Sequence, residues 1–236
     1  MIYILIEIYI LIEIYITIFL MNKDNLLELV HGFNAGIVQS IIGHPIDTYK
    51  TWTQMRHIEK ISLKSLYRGF TYPAYTNGII NGIVFHAYEY IKKDYGMILG
   101  GIYAGVITGL LSSYFEYEKV RAQLKLQHNF RKIIIFTTVL REIPACTFYY
   151  PVYDNLKLKG MSPFLSGGIA GVTCWLSSYW LDVINTHIIN GYTLKYVIKT
   201  LSFHDYFRGL SLILPRAFVI NAVGYYFYDL SKTYIK

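Results

Sequence analysis

Pro45-Ile46-Asp47-Thr48-Tyr49-Lys50, with Gln54 one turn further on, lies in an apolar stretch and sets an acid and a base three residues apart. That spacing places Asp47 and Lys50 on one helix face. At the centre of a bilayer each charge would cost about 2.5–3.5 kcal/mol unless paired or wetted, so an ordinary core helix has no use for them. The stretch recurs in altered form as Tyr114-Phe115-Glu116-Tyr117-Glu118-Lys119 and Trp180-Leu181-Asp182-Val183-Ile184-Asn185. The copies start 69 and 66 residues apart, and nine residues before each start stands a glycine that follows an alanine: Ala35-Gly36, Ala104-Gly105 and Ala170-Gly171. Small residues of this kind let membrane helices approach closely. The pattern is a threefold internal repeat.

Composition agrees. The 236 residues are 54% hydrophobic and only 16% charged, against about 25% charged in an average soluble domain, which makes membrane the default class. The net charge of +7 comes without a dense basic run. It suits anionic lipid or an anionic solute and fits nucleic acid less well, so no nucleic-acid polymer is expected as partner. Cys146 and Cys174 stand alone without ligand spacing and read as packing residues. His44, His86 and His187 are isolated from other ligand types. No calcium loop, phosphate-cradling glycine loop, nucleophile elbow or zinc motif occurs. No cofactor, metal or catalytic residue is expected, and an enzyme has no reason to repeat its groups three times at matched spacing.

Residues 1–21 form a low-complexity apolar leader with Ile at every even position from 2 to 18. It reads as an expanded simple repeat from an AT-rich genome, with Met21 as a second possible start. No Lys or Arg precedes it, which argues against a secretory signal or an Arg-rich presequence.

Three units follow, at 22–93, 94–159 and 160–236. Each runs from its motif through a basic connection into a second apolar helix. Those helices end Tyr88-Glu89-Tyr90-Ile91-Lys92, Tyr153-Asp154-Asn155-Leu156-Lys157 and Tyr228-Asp229-Leu230-Ser231-Lys232. Units one and three enter the second helix through Tyr67-Arg68-Gly69 and Phe207-Arg208-Gly209, whereas unit two has Ile134 at the glycine's place. Spanning helices are expected near 24–51, 72–92, 97–123, 137–157, 161–188 and 210–231, each long enough for a bilayer core that needs about 20 residues. Arg56, Lys60, Lys64 and Arg68, then Lys125, Arg131 and Lys132, then Lys195, Lys199 and Arg208 put the three long connections in one compartment and both termini in the other. The expected fold class is all-α membrane, with six transmembrane helices in three pseudo-repeats.

From Asn22 to Lys236 these motifs, together with Arg141-Glu142-Ile143-Pro144 leading to Tyr153-Asp154, resemble the mitochondrial carriers, the solute carrier 25 family. The composition looks like that of a copy carried by a giant DNA virus of the mimivirus type. The resemblance implies a monomeric antiporter of the inner mitochondrial membrane, with six tilted helices around a central cavity that closes alternately at its two ends. A matrix gate would pair Asp47 with Lys119, Asp182 with Lys50, and Glu116 with Asn185, the last at best by a hydrogen bond. Gln54 and Gln123 occupy the bracing position, which is Ile189 in unit three. A cytoplasmic gate would pair Glu89 with Lys157, Asp154 with Lys232, and Asp229 with Lys92. Having lost one base and one brace, the matrix gate is expected to open more easily than its counterpart. Cardiolipin would sit near Tyr67–Gly69 and Phe207–Gly209. Proline survives only at Pro45 in the motifs. At Tyr114 and Trp180 the serine pairs Ser112-Ser113 and Ser177-Ser178 can bend the helix by bonding back to the preceding turn, or the helices have drifted straighter.

The family's contact positions, seven residues beyond the turn, fall on Thr76 with Asn77, on Arg141 with Glu142, and on Arg216. Two guanidiniums favour a small anionic solute bearing phosphate or carboxylate. Aromatics near Phe148, Tyr149, Tyr150 and Tyr153 offer faces for a base, so nucleotides or deoxynucleotides are the leading expectation. An Arg followed by an acid in helix 4 is associated within the family with amino-acid carriers, which keeps an amino-acid or carboxylate carrier as the alternative. A carrier fold retained as a transport-inactive interaction protein is the third reading.

Overall fold

The computed structural model describes residues 23–234, so the leader lies outside the described residues. Every regular element among them is helical. α1 spans Lys23–Met55, α2 Leu63–Leu66, α3 Thr71–Leu124, α4 Lys132–Leu158, α5 Pro163–Ile189, α6 Leu194–Thr200 and α7 Leu210–Tyr234, with a 3-10 turn at Asp205–Phe207. α3 breaks at Gly96, whose φ of 85° and ψ of 168° suit a residue without Cβ. Two expected helices therefore run on through a single-residue corner. α4 begins at Lys132 rather than 137 and α1 continues to Met55 rather than 51. Met97–Leu124, Lys132–Leu158 and Asp205–Gly224 are long and apolar enough to cross a membrane. The short helices lie in the basic connections. Ser62 caps α2 through a reciprocal bond with Ser65 and Thr193 caps α6, which satisfies amides that have no partner inside the helix.

Small residues set the closest helix contact. A Cβ on Gly105 would lie 2.6 Å from the Glu142 carbonyl oxygen and from Ile143 Cα, and one on Gly101 would lie 2.7 Å from Thr147 Cα. A Cβ on Gly109 would collide with Val139 Cα. Glycines four residues apart thus bring the second half of α3 onto the backbone of α4. In unit three Gly168 sits under the Phe218 ring and Gly171 against Asn221, both on α7.

Proline and the basic turns are physically linked. Pro45 has no N–H for the Ile41 carbonyl, and the Tyr67 hydroxyl donates to that oxygen at 2.9 Å. His44 Nε2 lies 2.9 Å from the Arg68 carbonyl. Tyr179, at the same repeat position as His44, donates to the Arg208 carbonyl at 2.7 Å. The turns through Gly69 (φ 79°) and Gly209 (φ 90°) are thereby fastened to the motif helices in units one and three. Unit two, without the turn glycine, has no equivalent bond from Ser113, which bonds back to the Leu110 carbonyl at 3.2 Å. Ser177 and Ser178 both bond back to the Cys174 carbonyl at 2.8 Å.

Candidate functional site: a charged cavity closed at one end

A cavity of about 310 Å³ lies between the long helices, with Asp47 and Lys50 of α1, Glu116 and Lys119 of α3, and Arg141 of α4 in its wall. Behind that wall α5 holds Asp182, which is 1% exposed, against Lys50. Lys50 Nζ meets Asp182 Oδ2 at 2.6 Å and Lys119 Nζ meets Asp47 Oδ2 at 3.4 Å. Gln54 donates to Asp182 Oδ2 at 2.7 Å and accepts from Thr186 at 3.0 Å, so it holds the acid of the Lys50 pair in place. Lys50 also lies 5.2 Å from the centroid of a Trp175 ring. Beyond this ionic layer the helix ends close over an apolar floor that includes Trp52, Tyr117, Ile134, Ile184, Ile188 and Val197.

Two expectations of the layer need correction. Glu116 does not meet Asn185. Asn185 instead takes hydrogen bonds on Oδ1 from Thr137 at 2.6 Å and Thr138 at 3.4 Å. Two threonines one turn inside α4 offer it hydroxyls, whereas a carboxylate needs a stronger donor. Gln123 donates to Thr48 at 3.0 Å rather than to the Asp47–Lys119 pair. The threonine bonds to the Leu66 carbonyl at 2.7 Å, so this glutamine ties α3 to the first connection.

Thr76, Asn77, Arg141, Glu142 and Arg216 all line the same cavity. Neither arginine waits there for an anion. Arg216 Nη2 donates to Asp47 Oδ2 at 2.7 Å. Arg141 Nη1 donates to Asp182 Oδ1 at 3.1 Å and Glu116 Oε1 at 3.2 Å, and its Nη2 binds Glu142. Four carboxylates (Asp47, Glu116, Glu142, Asp182) answer four cations (Lys50, Lys119, Arg141, Arg216), so the site is electrically balanced. Pairing of this kind is what makes buried charge tolerable. Asn77 donates to Ser40 at 3.0 Å, and Thr76 bonds to its own helix at Tyr72. Ser40, Trp175 and His44 are lining residues that sequence reasoning did not single out for the site. The repeat offset was the available signal: His44 and Tyr179 precede their motifs at the same register.

At the other end Lys92 bridges to Asp154 at 2.8 Å, and the Tyr88 hydroxyl donates to the same carboxylate at 2.7 Å. Glu89 pairs with Lys92 of its own helix at 2.6 Å rather than with Lys157, because three-residue spacing makes them neighbours. Lys157 lies 5.6 Å from the centroid of the Tyr153 ring. The side chains of Asp229 and Lys232 lie outside the described residues. In the connections, Glu59 takes both Arg68 nitrogens at 2.9 and 3.0 Å and Lys125 at 2.8 Å. The Arg68 fork, then Lys125, hold the Glu59 carboxyl down to about 2.

Apolar helices surround a balanced polar cavity with ion pairs across one end, an arrangement able to hold a small charged solute. In sequence the chain is similar to mitochondrial carriers along most of its length. A mitochondrial arginine transporter of Arabidopsis thaliana is 26% identical over 86% of this chain and 90% of its own length. A mitochondrial basic amino acids transporter of Rattus norvegicus is 26% identical over 89% and 90%. Solute carrier family 25 member 48 of Mus musculus is 23% identical over 89% and 96%. No protein-family model matches the chain.

Proposed function

We propose that the chain exchanges cationic amino acids across the inner mitochondrial membrane, with six spanning segments in three units and the ionic layer as its matrix gate. The observation that carries this is the balanced cavity. An amino acid such as arginine or lysine brings one carboxylate for Arg141 or Arg216 and two cationic groups for Glu116, Glu142 or Asp47. It can trade partners with pairs already present, and its single net positive charge disturbs the balance far less than the several negative charges of a nucleotide. A nucleotide would bring several negative charges to four carboxylates, so the expected preference for nucleotides and anionic solutes gives way to the amino-acid alternative. The basic-amino-acid relatives support the same choice. The Tyr149–Tyr150–Tyr153 cluster, offered as a base platform, is accounted for by aromatic packing, with Tyr150 stacked on Tyr88 at 4.4 Å.

Thermal unfolding of the purified protein in detergent, screened against arginine, lysine, glutamate, malate, ATP and dATP, tests the solute class. A solute at 100 times its Kd stabilises by about 2.7 kcal/mol, which raises the Tm of a chain this size by roughly 5–10 °C. Arginine and lysine should give that shift. A shift from ATP or dATP with none from arginine or lysine would restore the nucleotide reading.

A further inference from the structure

The repeat predicts three bases in the closing layer, and the third position is Asn185, which is occupied with Thr137 and Thr138. Glu116 would then be a partly buried acid facing the empty place of a cation. It is not left so, because Arg141 reaches it. We propose that Arg141, a cavity residue of α4, supplies the third cation of the closing layer in place of a base at 185. This extends the carrier reading given above and rests on it.

Three features argue for the role. Arg141 is 8% exposed, so it is embedded in the layer and does not hang into open cavity. Its Nη1 is shared between Glu116 of α3 and Asp182 of α5, so one guanidinium joins the motif helices of units two and three across the gap that Asn185 leaves. Asp182 is also held by Lys50 of α1, so removing Arg141 would cut the ring of contacts between the units on the side of Glu116 alone. The planar, always-charged guanidinium presents five donors in a fixed fork, which lets it hold acids on different helices at once.

A consequence concerns which solutes open the gate. Arg141 faces both the ring and the solute. A solute carboxylate that takes Arg141 withdraws the cation from Glu116 and Asp182, so binding and unlocking become one event. A cation of the same shape without the carboxylate enters but does not unlock.

The test is a rescue experiment on the full chain in detergent, which needs no solute. Arg141→Gln should lower the Tm by roughly 6–12 °C, since stripping one partner from buried carboxylates costs a chain of this size that much. In an Asn185→Lys background, where the lysine supplies the missing base to Glu116, the same change should lower it by less than half as much. In a Glu116→Gln background, which removes the acid, the loss should also halve, and this second cycle decides the matter if Asn185→Lys does not fold. Equal losses in every background would overturn the proposal. With folded wild-type protein in liposomes, arginine should drive exchange while agmatine, its decarboxylated analogue, binds without being exchanged. Rapid agmatine exchange would overturn the coupling of carboxylate to gate. Failure of all amino acids to exchange, with the rescue intact, would instead sink the proposed function and leave the layer assignment standing.

Discussion

Lys50→Met isolates the pair that closes the cavity most firmly. Lys50 Nζ and Asp182 Oδ2 are 2.6 Å apart with side-chain exposures of 7% and 1%, so water cannot replace the lost ammonium. Removing one partner of a buried pair costs about 3–5 kcal/mol. Asp182 would keep Gln54 at 2.7 Å and Arg141 at 3.1 Å, which places this variant near the low end, at about 3 kcal/mol. For a chain of this length that corresponds to a Tm lower by roughly 6–12 °C. Asp182→Asn in the same background removes the stranded charge, and the double variant should recover at least half of the loss. The assay is thermal unfolding in detergent followed by the reactivity of Cys146, which is buried. A drop under about 2 °C, or strict additivity of the two changes, would show that this pair does not bear on closure as the geometry requires.

Other changes probe the packing and the connections. Gly105→Val would drive a side chain into the Glu142 carbonyl and Ile143 Cα, each 2.6 Å from its Cβ, and should cost about 3 kcal/mol, read as lost Tm and a looser α3–α4 contact by cross-linking. Tyr67→Phe removes the donor to the carbonyl that Pro45 leaves unpaired and should cost about 1 kcal/mol, or roughly 2–4 °C of Tm. Because Glu59 is held down to about 2 from an ordinary 4.5, the folded state gains from its charge above pH 4.5 and loses that gain as the pH falls toward 2. An acid titration of wild type should therefore lose stability through that window, and Glu59→Gln should flatten its part of the loss.

Much of the architecture is legible because charge in an apolar context is costly and therefore repeats only where it is used. The motif spacing brings Asp47 and Glu116 into one cavity wall with Asp182 buried against it, and the Ala104-Gly105 pair marks a close backbone approach of α3 to α4. The side-chain partners are less legible. Spacing alone cannot reveal that Arg141 reaches Glu116 and Asp182, or that Arg216 sits closer to Asp47 at 2.7 Å than Lys119 does at 3.4 Å. Long guanidiniums cross from one helix to another, and their reach depends on helix separation that no single-chain pattern encodes. The same blind spot misled the solute expectation. Two arginines looked like spare positive charge until their carboxylate partners were placed. The closing layer, expected to be short of a base, is supplied with two cations from outside the motifs.

Counter-exchange in liposomes tests the central claim most directly. With the full chain reconstituted and unlabelled arginine inside, labelled arginine added outside should enter, and it should not enter when the vesicles hold buffer alone or ATP. Uptake of labelled ATP against internal ATP, with arginine idle on both sides, would contradict a path built from balanced charge.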